Sequence, residues 1–161
     1  MVVDEFAQLI EDIRARRGAG SVGGIILPTP AGFDQVRAAD LAAAHCSLHQ
    51  LGDRWRDISE TQAQALIQRF LHKDLAYECA AMSQDSAAAL ALEFMKFTRP
   101  PRVCFTNGLW PSDWLSGTPG QTAVPSGRHG GWNPISNATF DAGIVSIDSE
   151  WVAMLWVEDE D

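Results

Sequence analysis

Three groups of residues in this chain have types and spacings that can do chemistry. The string Gly18-Ala19-Gly20-Ser21-Val22-Gly23 matches the GxGxxG pattern of dinucleotide sites. That pattern works after a strand and at the start of a helix, whose N-terminus holds the pyrophosphate. Here a helical pattern precedes it and an apolar run follows, so the order is reversed and Gly18–Gly24 reads as a flexible connector. His45 and His49 stand four apart, with Cys46 beside the first. Such spacing can put two zinc ligands on one helix face. No Glu follows the first histidine as in HExxH, and no second close ligand pair exists, so both read as surface histidines. His129-Gly130-Gly131 is similar to the oxyanion loop of esterases, but the GxSxG elbow that loop serves is missing, and Ser126 lacks a strand–turn–helix context. Cys104 with His129 makes an imaginable thiol–imidazole pair, although a strand cysteine is more often core. No motif names a reaction. The sequence predicts no catalytic residue, no cofactor and no metal site.

Charge is the stronger signal. Twelve Lys and Arg against 21 Asp and Glu give a net charge of −9. A surface of this sign repels nucleic acid and anionic lipid, so the expected partner is a protein with a basic surface, with no nucleic acid and no membrane. The excess is uneven. Residues 1–102 hold 13 acids and 11 bases, while residues 103–161 hold 8 acids and one base, Arg128. The acids placed to supply a field are Asp148, Glu150, Glu158, Asp159, Glu160 and Asp161. Trp151 and Trp156 lie between them and have opposite parity on one expected strand, so they point to opposite faces. Tryptophan is enriched at interface hot spots. The last four acids are consecutive at the end of the chain. They read as a solvated tail, a contact for a basic partner, or, together with Asp141, a hard-cation site.

The elements that must position these residues follow from periodicity. At 161 residues, with 46% apolar and 20% charged residues, the chain has the length and composition of one globular domain. Residues 1–100 read as its helical part and 101–161 as its loop- and strand-rich part. Phe6, Leu9, Ile10 and Ile13 make one face of a helix over 4–16, with Asp4 and Glu5 at its positive end and arginines at its negative end. Ile25-Ile26-Leu27 reads as a short strand, and 34–50 as an alanine-rich helix. Gly52–Asp57 reads as a loop. Ser59 and Gln62 form a capping box, and the stripe from Ala63 to Leu75 predicts a helix over 60–80. A second stripe predicts a helix over 84–97, ended by Pro100 and Pro101. Val103–Thr106 is a short strand.

Residues 109–134 show no periodicity and carry Trp110, Trp114 and Trp132, which are expected to pin the loop to the body. The alternation over 140–147 and 151–157, with Asp148-Ser149-Glu150 between, predicts a terminal hairpin. The fold class is therefore α+β: N-terminal helices packed on one face of a small, mainly antiparallel C-terminal sheet that ends in a hairpin. Cys46, Cys79 and Cys104 are odd in number and far apart, and read as reduced thiols. Met1–Glu5 has no basic and no apolar segment of a secretory signal, which predicts a cytoplasmic protein.

The segment Trp132-Asn133-Pro134-Ile135-Ser136-Asn137-Ala138-Thr139-Phe140-Asp141, with the ending Leu155-Trp156-Val157-Glu158-Asp159-Glu160-Asp161, resembles the C-terminal ends of small acidic bacterial proteins. These are immunity partners of polymorphic or contact-dependent toxins. The resemblance spans about 30 of the 161 residues and carries no catalytic residue. It implies a cytoplasmic protein that binds one toxin domain and blocks it, and it implies no particular fold, since such proteins have many. An acidic inhibitor of a toxin with a basic cleft is steered to it electrostatically. The alternatives are a small enzyme using the 109–134 loop, with His129 as acid or base, and a non-catalytic adaptor module.

Overall fold

The computed structural model describes residues 1–32, 34–116 and 131–160. Helix α1 (Val2–Arg16) runs into strand β1 (Ser21–Pro28), then α2 (Gln35–His45), β2 (Arg56–Ile58), α3 (Glu60–His72), α4 (Gln84–Met95), β3 (Val103–Thr106), the short α5 (Ser112–Ser116), β4 (Phe140–Ile147) and β5 (Trp151–Asp159). The strands form one sheet in the order β1-β5-β4-β3-β2, every neighbouring pair antiparallel. The class is α+β, as the pattern predicts.

Local chemistry explains most boundaries. The capping box at Ser59 and Gln62 opens α3, and Ser83 caps α4 through the Ser86 N–H. Helix α3 stops at His72, short of the predicted 80. Asp74 accepts the N–H groups of Tyr77 and Cys79 at 2.6 and 2.9 Å, and a carboxylate that binds nearby backbone donors competes with helical pairing. Leu75 continues the apolar stripe and is buried, but from a loop. Helix α2 ends at His45, where Ser47 takes a positive φ of 57°.

Two features depart from the expected layout. The sheet is not confined to the C-terminal part, because β1 and β2 form its edges, and β2 lies within and just after the stretch read as a loop. The sheet is also covered on both faces, not one. Helices α1, α3 and α4 pack with Ala142, Ile144, Ala153, Leu155 and Val157 on one face. Helix α2, with Leu51 and Trp55, packs with Phe105, Val145, Val152 and Met154 on the other. Strands β4 and β5 are buried along nearly their whole length, which requires two covered faces. Four alanines of α2, at 38, 39, 42 and 43, are buried against the sheet, and their small side chains let the helix lie close.

The Gly18–Gly24 stretch is part strand rather than a free connector. A Cβ at Gly23 would lie 2.1 Å from the Trp156 ring, and one at Gly24 would lie 2.3 Å from Ile10. These glycines make room for packing on opposite faces of β1. Arg17, just past α1, is buried, and its guanidinium takes both oxygens of Asp159 at 2.7 Å each. It also donates to the carbonyls of Ala19 and Phe70. Asp159 accepts the Leu75 N–H at 2.8 Å with the same oxygen that meets Nη2. Breaking a buried pair leaves an uncompensated charge. Asp159→Asn is therefore expected to cost on the order of 3–5 kcal/mol, read by urea unfolding, whereas Glu160→Gln should cost under about 0.5 kcal/mol.

Candidate partner-binding surface

The eight residues expected to bind a partner separate into three environments. Asp148 and Glu150 lie at the hairpin turn, and Glu158 and Glu160 lie at the far end of β5. Eight residues of strand separate Glu150 from Glu158, about 26 Å at strand rise. That is several Debye lengths at physiological salt, so the acids do not form one patch. Asp159 points into the core, with its side chain 2% exposed and bound to Arg17. The expectation that Asp159 supplies surface field is thus corrected: its charge is neutralised inside the molecule. Asp161 lies outside the described residues, as do Ser126, Arg128 and His129.

Asp148 builds the turn. Its carboxylate accepts the N–H groups of Arg99, Glu150 and Trp151 at 2.6–2.7 Å. Burial pushes this carboxyl up, but the three N–H donors, helped by the Arg99 charge, outweigh it and hold it below the ordinary 3.8. Glu150 is exposed beside it.

At the opposite end, Trp156 and Glu158 are two residues apart on the α2-side face of β5. The indole N–H of Trp156 donates to one Glu158 oxygen at 3.2 Å, and the Ser21 hydroxyl donates to the other at 3.4 Å. Both residues line an open cleft of about 440 Å³ with Arg14, Ser21 and Gly23. Glu160 is exposed and accepts the N–H and hydroxyl of Thr139. Trp151 is partly buried against the α1/α3/α4 core, and Trp156 against the α2 core. The opposite parity of the two tryptophans holds, but both faces they point to are covered.

Asp141, weighed above as a cation ligand, is instead a second carboxylate buried among hydrogen-bond donors. Asp141, 1% exposed, accepts Asn107 Nδ2 at 2.9 Å, the N–H groups of Ile135 and Ser136, and the Ser136 hydroxyl at 2.8 Å. Asn107 in turn accepts the Gly143 N–H and donates to the Asn133 carbonyl. This network locks the returning segment 131–139 onto β4. Strand parity is the signal that marks both buried acids. Asp141 shares a face with Val145 and Ile147, and Asp159 shares one with Leu155 and Val157.

The groups considered for catalysis or metal binding are placed differently from their sequence spacing. His49 lies beyond α2, its Nδ1 paired with the Pro134 carbonyl at 3.2 Å, so His45 and His49 do not share a helix face. Among the described residues no cluster of three or more His, Cys, Asp or Glu could hold a metal ion. Burial pushes the Cys46 thiol up to about 11 and also raises that of Cys104, which donates to Ser146 Oγ. Raised thiols are poor nucleophiles. Trp110 and Trp114 stack on each other and pack on Phe70, with the Arg69 guanidinium 4.2 Å from the Trp114 ring centre. They fasten the start of the 109–134 segment as expected, and Trp132 packs on Phe140 at its end. Among the described residues no helix is long and apolar enough to cross a membrane.

No family model, curated protein or solved structure matches the chain.

Two outcomes are expected. Gly23→Ala sets a methyl into the Trp156 ring and should displace that indole, shifting its N–H resonance and costing roughly 1–3 kcal/mol of stability. Asp148 has a lowered folded pKa, so the stability it contributes is complete above pH 3.8 and is lost as the pH falls through that lowered value. Asp148→Asn should remove this part of the acid dependence, seen as a shallower decline of the melting temperature below pH 3.8.

Proposed function

We propose that this chain is a non-enzymatic binding protein of the bacterial cytoplasm, an immunity protein that neutralises a toxin domain by binding a basic surface on it. The observation that carries this reading is the acidity left at the surface once Asp141 and Asp159 are accounted for inside. Glu158 and Glu160 remain at the open end of β5 next to a partly buried tryptophan, and Glu150 remains at the turn. Carboxylates in such rim positions steer a basic partner and set its association rate. A half-buried indole that already offers an apolar face suits an interface anchor. The overall charge of −9 supports the same sign of partner and disfavours polyanions. The resemblance of residues 132–141 and 155–161 to the ends of immunity proteins supports the class of partner. The raised thiols of Cys46 and Cys104 do not help a cysteine-based enzyme.

The test is co-expression with the product of the adjacent reading frame, followed by binding kinetics on the purified pair. The variant Glu158→Gln/Glu160→Gln should slow association by about threefold to tenfold at low salt and flatten its salt dependence, with the fold intact. Unchanged affinity and salt slope, or no complex with the neighbouring product, would overturn the proposal.

A further inference from the structure

A sheet has two edges, and here they are protected unequally. The β2 edge is three residues long and carries exposed Arg56 and Asp57. Short, charged edges resist pairing with other chains. The β1 edge is eight residues, Ser21–Pro28, with no charged side chain.

The direction of its backbone groups follows from two hydrogen bonds. The Thr29 N–H donates to the Glu150 carbonyl at 2.9 Å, continuing the β1–β5 register, so the odd-numbered residues of β1 bond β5. The even-numbered residues then face outward. The Val22 carbonyl agrees, since it accepts Arg14 Nε at 2.7 Å from outside the sheet. Gly24 and Ile26 therefore turn their N–H and C=O groups away from β5. No other group among the described residues bonds them.

The split acidic set now has a common reference. Glu158 leans onto β1 through the Ser21 hydroxyl at one end of this edge. Glu150 is exposed beside Thr29 at the other. Between them Ile25, Leu27 and Trp156 are partly buried hydrophobics at the margin of the α2-side core. The edge is an uncharged ladder with a carboxylate at each end and an apolar shelf along one side.

We propose that β1 accepts an extended segment of a protein partner as a sixth strand, apolar in its middle and basic at both ends. The proposal rests on the reading of this chain as a binder of a basic protein, and it names how that protein is held. Strand addition gives affinity through main-chain hydrogen bonds and specificity through flanking side chains. A second copy of this chain fits poorly. Antiparallel pairing of β1 with itself would set Glu158 of each copy near Glu150 of the other, between two chains of charge −9. Arg14, held by Glu11, covers only the Val22 carbonyl.

The probe is a synthetic peptide, Lys-Lys-Thr-Val-Thr-Val-Thr-Lys-Lys, compared with its Glu-ended counterpart and with a form N-methylated at alternate amides. Amide exchange of the full chain is followed by NMR. At about 1 mM the Lys-ended peptide should slow exchange at Gly24 and Ile26 by at least about tenfold. Gly23 and Ile25, already bonded to β5, should not change. The Glu-ended peptide should bind about tenfold more weakly, a difference that Glu150→Gln/Glu158→Gln removes, and the N-methylated form should not protect the edge. No slowing by the Lys-ended peptide, or equal slowing by the Glu-ended one, overturns the proposal. Slowing in the protein alone as its concentration rises assigns the edge to a second copy and overturns it too. If the neighbouring product binds in a Glu158-dependent way while Gly24 and Ile26 stay fast in that complex, the binding function stands and strand addition falls. If the peptides behave as expected and the neighbouring product does not bind, the edge stands and the immunity reading falls.

Discussion

The buried pair of Arg17 and Asp159 ties the beginning of the chain to its end. A guanidinium in this position must satisfy its donors without water, and it does so on four groups from three pieces of chain. It meets the carboxylate of the last strand, the carbonyl of Phe70 near the end of α3, that of Ala19 before β1, and, at 3.4 Å, that of Lys73. The bidentate geometry fixes direction as well as distance. Helices α1 and α3 and strands β1 and β5 all converge there, so the arrangement of the larger core is referred to this one contact.

Asp141 plays the corresponding part on the other face, with no cation among its partners in the described residues. Its charge is held by backbone N–H groups, an amide and a hydroxyl. Four donors on one carboxylate replace its hydration shell, which is the condition for burying a charge. The gain is local order. The segment from 131 to 139 has little regular structure, and its entropy cost is offset by bonds from Asn107 and Asp141 and by the burial of Ile135. Both acids therefore act as fasteners rather than as surface field.

Covering both faces of the sheet has a consequence for function. Helices occupy the faces, so the backbone groups of the sheet that stay open are those of its edges. The two edges differ in length and charge, and the exposed carboxylates lie at the two ends of β5, beside the longer edge. Under the proposed strand addition, main-chain groups whose pairing needs no particular side chain would hold the partner, and side chains at the ends would discriminate.

The sequence by itself determined the elements whose signal is local. The stripe from Ala63 to Leu71 and the Ser59 box specify α3, and the alternation over 140–157 specifies the hairpin, because a periodicity of 3.6 or 2 is written in adjacent residues. It also determined the sign of the surface and the opposite directions of Trp151 and Trp156. The tertiary structure alone supplied what lets an acid stay buried. Strand parity turns Asp159 toward the core, but only the position of Arg17, 142 residues away, provides the charge partner that keeps it there while its neighbour Glu160 is exposed. It decided that Ser21–Gly24 is strand, since a glycine stretch has no pattern of its own and becomes ordered through Trp156 and Ile10 on its two faces. It placed α2 on the opposite face from the other helices, a choice that rests on which side of the sheet Ala39 and Ala43 can approach. These outcomes depend on contacts between residues far apart in the chain, and neither composition nor spacing encodes such contacts.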